Sequence, residues 1–132
     1  GRLLPGQMGE SFDRELRAVL GPDVEYTLED IHLGAECPLA SPLFDAIRCV
    51  MRRHAPGIPV VANLMTGGTE RGLLRGIGVN VLGFCPLRET PGEPTPFALC
   101  HAPNERVAVS NLVDNCRRLF EVVCEFNQIA VP

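Results

Sequence analysis

Apolar residues switch between helical and strand-like spacing along this chain, and the switches predict its elements. RLLPGQ is a short extended run closed by a Pro-Gly turn. In SFDRELRAVLG, Phe12, Leu16, Val19 and Leu20 share one helical face ahead of a glycine stop, and DVEYTLEDI then alternates like a half-buried strand. Ser41 is a good N-cap for PLFDAIRCVMRRH, whose apolar positions are helical and whose Arg52, Arg53 and His54 suit the negative end of the helix dipole. GIPVVANLM and VNVLGF are compact apolar runs of the kind buried strands carry, and TGGTERGLLRGIG between them is a glycine loop opening a short helix. CPLRETPGEPTPFALCHAPNE, with five prolines, is irregular, and RVAVSNLVDNCRRLFEVVCEFNQI is the longest amphipathic helix. The alternation of strands and helices predicts a layered α/β fold. The first strand-helix-strand unit cannot complete a sheet alone.

Composition narrows the class. With 132 residues, 45% of them hydrophobic and 21% charged, the chain carries enough apolar material for the core of one ordinary domain. A net charge of −4 with scattered arginines builds no positive field for nucleic acid or an anionic membrane. No apolar run approaches the length of a membrane span and no signal segment opens the chain, so a cytoplasmic location is expected. None of the six cysteines pairs at CxxC spacing, so reduced, mostly buried thiols acting as small hydrophobes are expected.

Three places can carry chemistry. His101 stands where FALC meets a polar loop, a position from which a rigid scaffold projects ligands and catalytic groups, whereas His32 and His54 read as solvated or dipole-complementing. Gly67, Gly68 and Thr69, after an apolar run and before a helix, offer either a tight turn and cap or backbone N–H groups for a carboxylate or phosphate; the sequence is neither a P-loop nor GxGxxG. Asn104 and Glu105 suit the start of the last helix as cap and first-turn acid. Cys100 beside His101 offers a weaker thiolate alternative.

Taken in order, GRLLPGQ before a helix, MTGGTERGLLRGIGVNVLGFCPL and HAPNERVAVSNL resemble the zinc-dependent aminoacylase, carboxypeptidase, dipeptidase and desuccinylase group of co-catalytic metallohydrolases. The likeness covers nearly the whole chain. It implies that residues 1–36 are part of a lid or dimerisation domain, a partial β-α-β unit, and that residues 37–132 are the C-terminal α/β part of a catalytic domain. It implies a metal-ligand role for His101, with an imidazole nitrogen at about 2.0–2.1 Å from zinc, and substrate-carboxylate contacts for Gly67, Gly68, Thr69 and Arg2. The chain departs from the family pattern at Glu70, where the family has Asp, and at Gly72, where it has a basic residue that Arg71 precedes by one position.

The family holds a pair of zinc ions with an H-x-D histidine, a bridging Asp, a Glu-Glu pair whose first member is the general base, a further ligand and the closing histidine. Neither H-x-D nor Glu-Glu occurs here. The resemblance therefore implies a C-terminal piece of an amide- or peptide-bond hydrolase acting beside a free carboxylate, inactive alone and not holding zinc by itself. The alternative is a non-catalytic carboxylate-binding or self-associating module on the same fold. Either way the incomplete sheet edge invites a second copy, so a homo-oligomer is expected.

Overall fold

A computed structural model describes residues 3–29, 34, 36–65, 67, 69, 73–74 and 77–130. Contacts divide the chain into two units, Gly1–Pro38 with Ala62–Val81, and Leu39–Val61 with Leu82–Pro132.

In the first unit, Leu4 to Gln7 form a tight turn closed by Gln7 N–H donating to Leu4 O at 3.0 Å, with Gly6 at φ 81° after Pro5. Proline fixes the first central residue of such a turn and glycine takes the left-handed second. Pro5 forms an isolated parallel bridge with Gly34, where a Cβ would lie 2.5 Å from the Leu4 carbonyl carbon, so only glycine allows this approach. Helix α1, Gly9–Leu20, starts where Ser11 Oγ donates to Met8 O at 2.8 Å, and stops at Gly21, whose φ of 78° lets its N–H reach Arg17 O. Tyr26 is drawn back onto α1. Its hydroxyl lies 2.9 Å from Asp13 Oδ1, and Arg17, paired with Asp13 at 3.0 Å, sits 5.0 Å from its ring centre. The Arg17 and Tyr26 hydrogen bonds hold the Asp13 carboxyl below its ordinary range.

The second unit is built on two helices, α2 (Pro42–His54) and α4 (Val109–Phe126), with a single turn, α3 (Pro96–Leu99), between them. Ser41 Oγ accepts from Phe44 N–H at 3.2 Å and Pro42 occupies the first helical position, where its missing N–H costs nothing. Ala46, Ile47 and fully buried Val50 of α2 form a core with Val122 of α4, and Leu43, Met51, Val60, Leu82 and Phe84 pack around it. Ion pairs flank this seam: Arg53 to Glu125 at 2.8 Å, and His54 Nε2 to Glu121 at 2.8 Å. The carboxylate of Glu121 can only accept, so Nε2 carries the hydrogen.

The α/β expectation is not met. Among the described residues there is no strand, only the Pro5–Gly34 bridge, so neither the lid-like β-α-β unit nor a catalytic-domain sheet forms. DVEYTLEDI is non-regular as far as Glu29, and Asp30 and Ile31 lie outside the described residues. GIPVVANLM and VNVLGF send only Val60, Leu82 and Phe84 onto the helical core, while Val61 stays 75% exposed. A buried strand needs partners on both edges and cover on both faces; after Phe84, residues 85–88 of the stretch read as irregular take side-chain contacts from α4. Asn111 accepts from Arg88 N–H at 2.9 Å and donates to Arg88 O at 2.8 Å, Asn115 donates to Cys85 Sγ at 3.5 Å, and Arg118 donates to Pro86 O at 2.8 Å. Of the helix expected in TGGTERGLLRGIG, Leu73 and Leu74 are helical and most of the remainder lies outside the described residues.

The thiols also differ from expectation. All six are free, but only Cys124 is buried, whereas Cys85, Cys100 and Cys116 are exposed. Among the described residues no helix is long and apolar enough to cross a membrane.

Two outcomes follow from the α2–α4 seam. Val50→Ala removes about two methylene equivalents from a fully packed position and should destabilise the chain by about 2 kcal/mol in urea unfolding. The Arg53 guanidinium first, and the Cys49 thiol second, hold the Glu125 carboxyl below the ordinary carboxylate range. Its stabilisation is therefore complete above the unfolded carboxylate value of about 4.3 and is lost as pH falls through the lower folded value. Glu125→Gln should flatten the acid side of the stability-versus-pH curve; an unchanged acid limb would show that the pair does not couple to folding.

Candidate functional site

The segment from Thr90 to Asn111 builds the candidate site in the second unit. Thr95 Oγ1 accepts from Ala98 N–H at 3.2 Å, and with Pro96 at the first helical position this starts α3. The helix ends at Cys100, and the chain turns through two left-handed residues, His101 at φ 60° and Asn104 at φ 62°. Ala102 N–H donates to Leu99 O and Glu105 N–H to Ala102 O, both at 3.1 Å. Arg106 braces the turn, donating to Asn104 O at 3.1 Å and pairing through its other terminal nitrogen with Glu93.

Asparagine and histidine are among the non-glycine residues found most often in the left-handed region, so the turn accepts both without marked strain. His101 is exposed, and no hydrogen bond or ion pair engages its ring among the described residues. A shallow pocket of about 140 Å³ lies beside the turn, lined by Glu93, Pro96, Leu99, Arg106 and Asn111 among others. Its walls are mostly apolar, its charges already paired with each other, and His101 is not among the residues lining it.

The other expected site residues lie elsewhere. Gly67 and Thr69 are exposed in the first unit, whereas Arg2, Gly68, Glu70, Arg71, Gly72 and His32 lie outside the described residues. Among the described residues a Cβ at Gly67 would meet only Met65 Sδ, at an ordinary 3.7 Å. His54 is the last residue of α2 and is engaged with Glu121. Asn104 does not cap α4, which begins at Val109 with Ala108 as its N-cap residue, because a capping residue needs extended backbone and Asn104 is left-handed. Glu105 therefore precedes the first turn of that helix.

Sequence reasoning missed Glu93 and Asn111. Glu93 sits inside the proline-rich stretch and gives no periodic signal, while Asn111 is polar within a helix whose buried face is taken to be apolar. The hydrogen bond to Glu125, and burial after it, push the Cys49 thiol up, which disfavours its thiolate. Among the described residues no group of three or more His, Cys, Asp or Glu side chains is placed to hold a metal ion. Among the described residues His101 therefore has no neighbouring ligands grouped with it. Compared with family models, curated proteins and solved structures, the chain matches none.

Asn111 is 7% exposed and satisfies both backbone groups of Arg88. Asn111→Ala strands a donor and an acceptor and should cost about 1–3 kcal/mol. The same unfolding measurement should show Ser110→Ala, on the exposed side of the helix, within about 0.5 kcal/mol of the parent.

Proposed function

We propose that this chain is the C-terminal part of a metal-dependent hydrolase that cleaves an amide or peptide bond beside a free carboxylate. In this reading His101 is one ligand of a dinuclear zinc site whose other ligands lie on polypeptide outside this sequence. The observation that carries it is the state of His101: an exposed, unengaged imidazole held at φ 60° by a turn that Arg106 and Glu93 brace. The motifs quoted from the sequence supply the chemical class, and the missing H-x-D and Glu-Glu explain why one ligand stands alone.

Zinc, when bound, would polarise the scissile carbonyl and acidify a water. The contribution of this chain is a neutral imidazole donor from a braced loop; its tautomer would be fixed by a partner on the other ring nitrogen. Gly67, Gly68, Thr69 and Arg2 keep their proposed place near the substrate carboxylate. With one ligand of the site on it, the chain alone should show no zinc-dependent turnover of N-acyl amino acids or dipeptides, and substantial turnover would contradict this reading. Sequencing the reading frame ahead of Gly1 tests the family directly: an H-x-D and a Glu-Glu should be found there, and a frame that lacks both removes the basis for the zinc site.

A further inference from the structure

The pocket of about 140 Å³ beside the His101 turn joins two kinds of wall. Pro94, Pro96, Leu99 and Val107 give it an apolar lining, and Glu93 and Arg106 bring the charges. A cavity of roughly 150 Å³ accommodates a benzene-sized group, so the apolar part has room for one compact hydrocarbon moiety. The charged part is aimed by the chain. Arg106 donates through one terminal nitrogen to Asn104 O at 3.1 Å, and its other terminal nitrogen holds a carboxylate, that of Glu93. Because the guanidinium is a rigid plane, the first contact fixes where the second points.

Glu93 is set there by a turn of its own. Its N–H donates to Thr90 O at 3.0 Å, and Gly92 between them takes a φ of 80° after Pro91. The ion pair lies at the surface, with the Arg106 and Glu93 side chains 50% and 39% exposed, so it adds no more than about fivefold to an equilibrium. A carboxylate from solution therefore exchanges with Glu93 at small cost. It also gains the apolar lining, which Glu93, itself part of the wall, leaves open.

We propose that this pocket binds a small carboxylate carrying a compact apolar group, that Arg106 receives the carboxylate, and that Glu93 is a built-in competitor which the ligand displaces. The volume is below the roughly 300–1,000 Å³ of pockets that bury drug-sized molecules, so a dissociation constant in the millimolar range is expected. The site is separate from the glycine-loop positions given to the substrate carboxylate in the zinc reading. It does not rest on that reading, since His101 does not line it and no metal takes part, so its failure would leave the zinc reading where it stands.

Proton–nitrogen NMR titration of the zinc-free chain at constant ionic strength tests this, with benzoate as the ligand and benzamide as its uncharged counterpart of the same shape. Benzoate should move the amides of Leu99 and Val107, which line the pocket, along a saturating curve, and benzamide should bind roughly fivefold more weakly or less tightly still. Glu93→Gln, which keeps the Arg106 contact to Asn104, should tighten benzoate about fivefold and leave benzamide unchanged. Arg106→Gln should bring benzoate down to the level of benzamide; should that variant lose the turn, seen as displaced amides at the start of α4, the gain on Glu93→Gln decides alone. A benzoate curve that does not saturate overturns the proposal. So does equal binding of benzoate and benzamide, or a Glu93→Gln chain that binds benzoate no better than the parent.

Discussion

The second unit depends on how α4 spends its inward face. Val122 meets Val50, Ala46 and Ile47 of α2 in a small apolar core, and the turns on its N-terminal side present Asn111, Asn115 and Arg118 to residues 85–88. Those side chains give Arg88 and Pro86 the hydrogen bonds that a neighbouring strand would otherwise supply. The buried asparagine and arginine are hydrogen-bonded there, Arg118 to a carbonyl at 2.8 Å and more loosely to Asp114 at 3.4 Å, while its Nε is left without a partner among the described residues. The consequence is a helix whose apolar side chains, including Leu119, Phe120 and Val123, remain at the surface.

The same arrangement explains what the sequence discloses. Helices α1, α2 and α4 were legible because their signals are local: the left-handed glycine that stops α1, the serine and proline that start α2, and the helical spacing of apolar residues in all three. The expected strands were not legible as loops because a short apolar run says that a segment is apolar, not what pairs with it. Strand formation is non-local, and residues 85–88, which follow VNVLGF, are held by a polar helix face more than twenty positions away in sequence. Helix α3 was overlooked although Thr95 and Pro96 announce a helix start, since a single turn leaves no room for periodicity.

At the candidate site the sequence singled out His101 by type and position but said nothing of its setting. His101 stood out by chemistry and position, but its left-handed backbone is imposed by the α3 stop and by the Arg106 brace, neither of which a spacing pattern reveals. Asn104 shows the converse: a good capping residue by type is diverted into the turn, and α4 begins five positions after it, at Val109, with Ala108 as its N-cap. Gly67 and Thr69 belong to the first unit, so the structure adds no geometry that joins them to the histidine.

Amide hydrogen exchange resolved to single residues tests the claim that α4 side chains stand in for a sheet. The Arg88 amide, which donates to buried Asn111, should exchange far more slowly than the amides of Val60 to Met65, which no strand covers. Fast exchange at Arg88, or a protected ladder of alternating slow amides from Val60 to Met65, would contradict it.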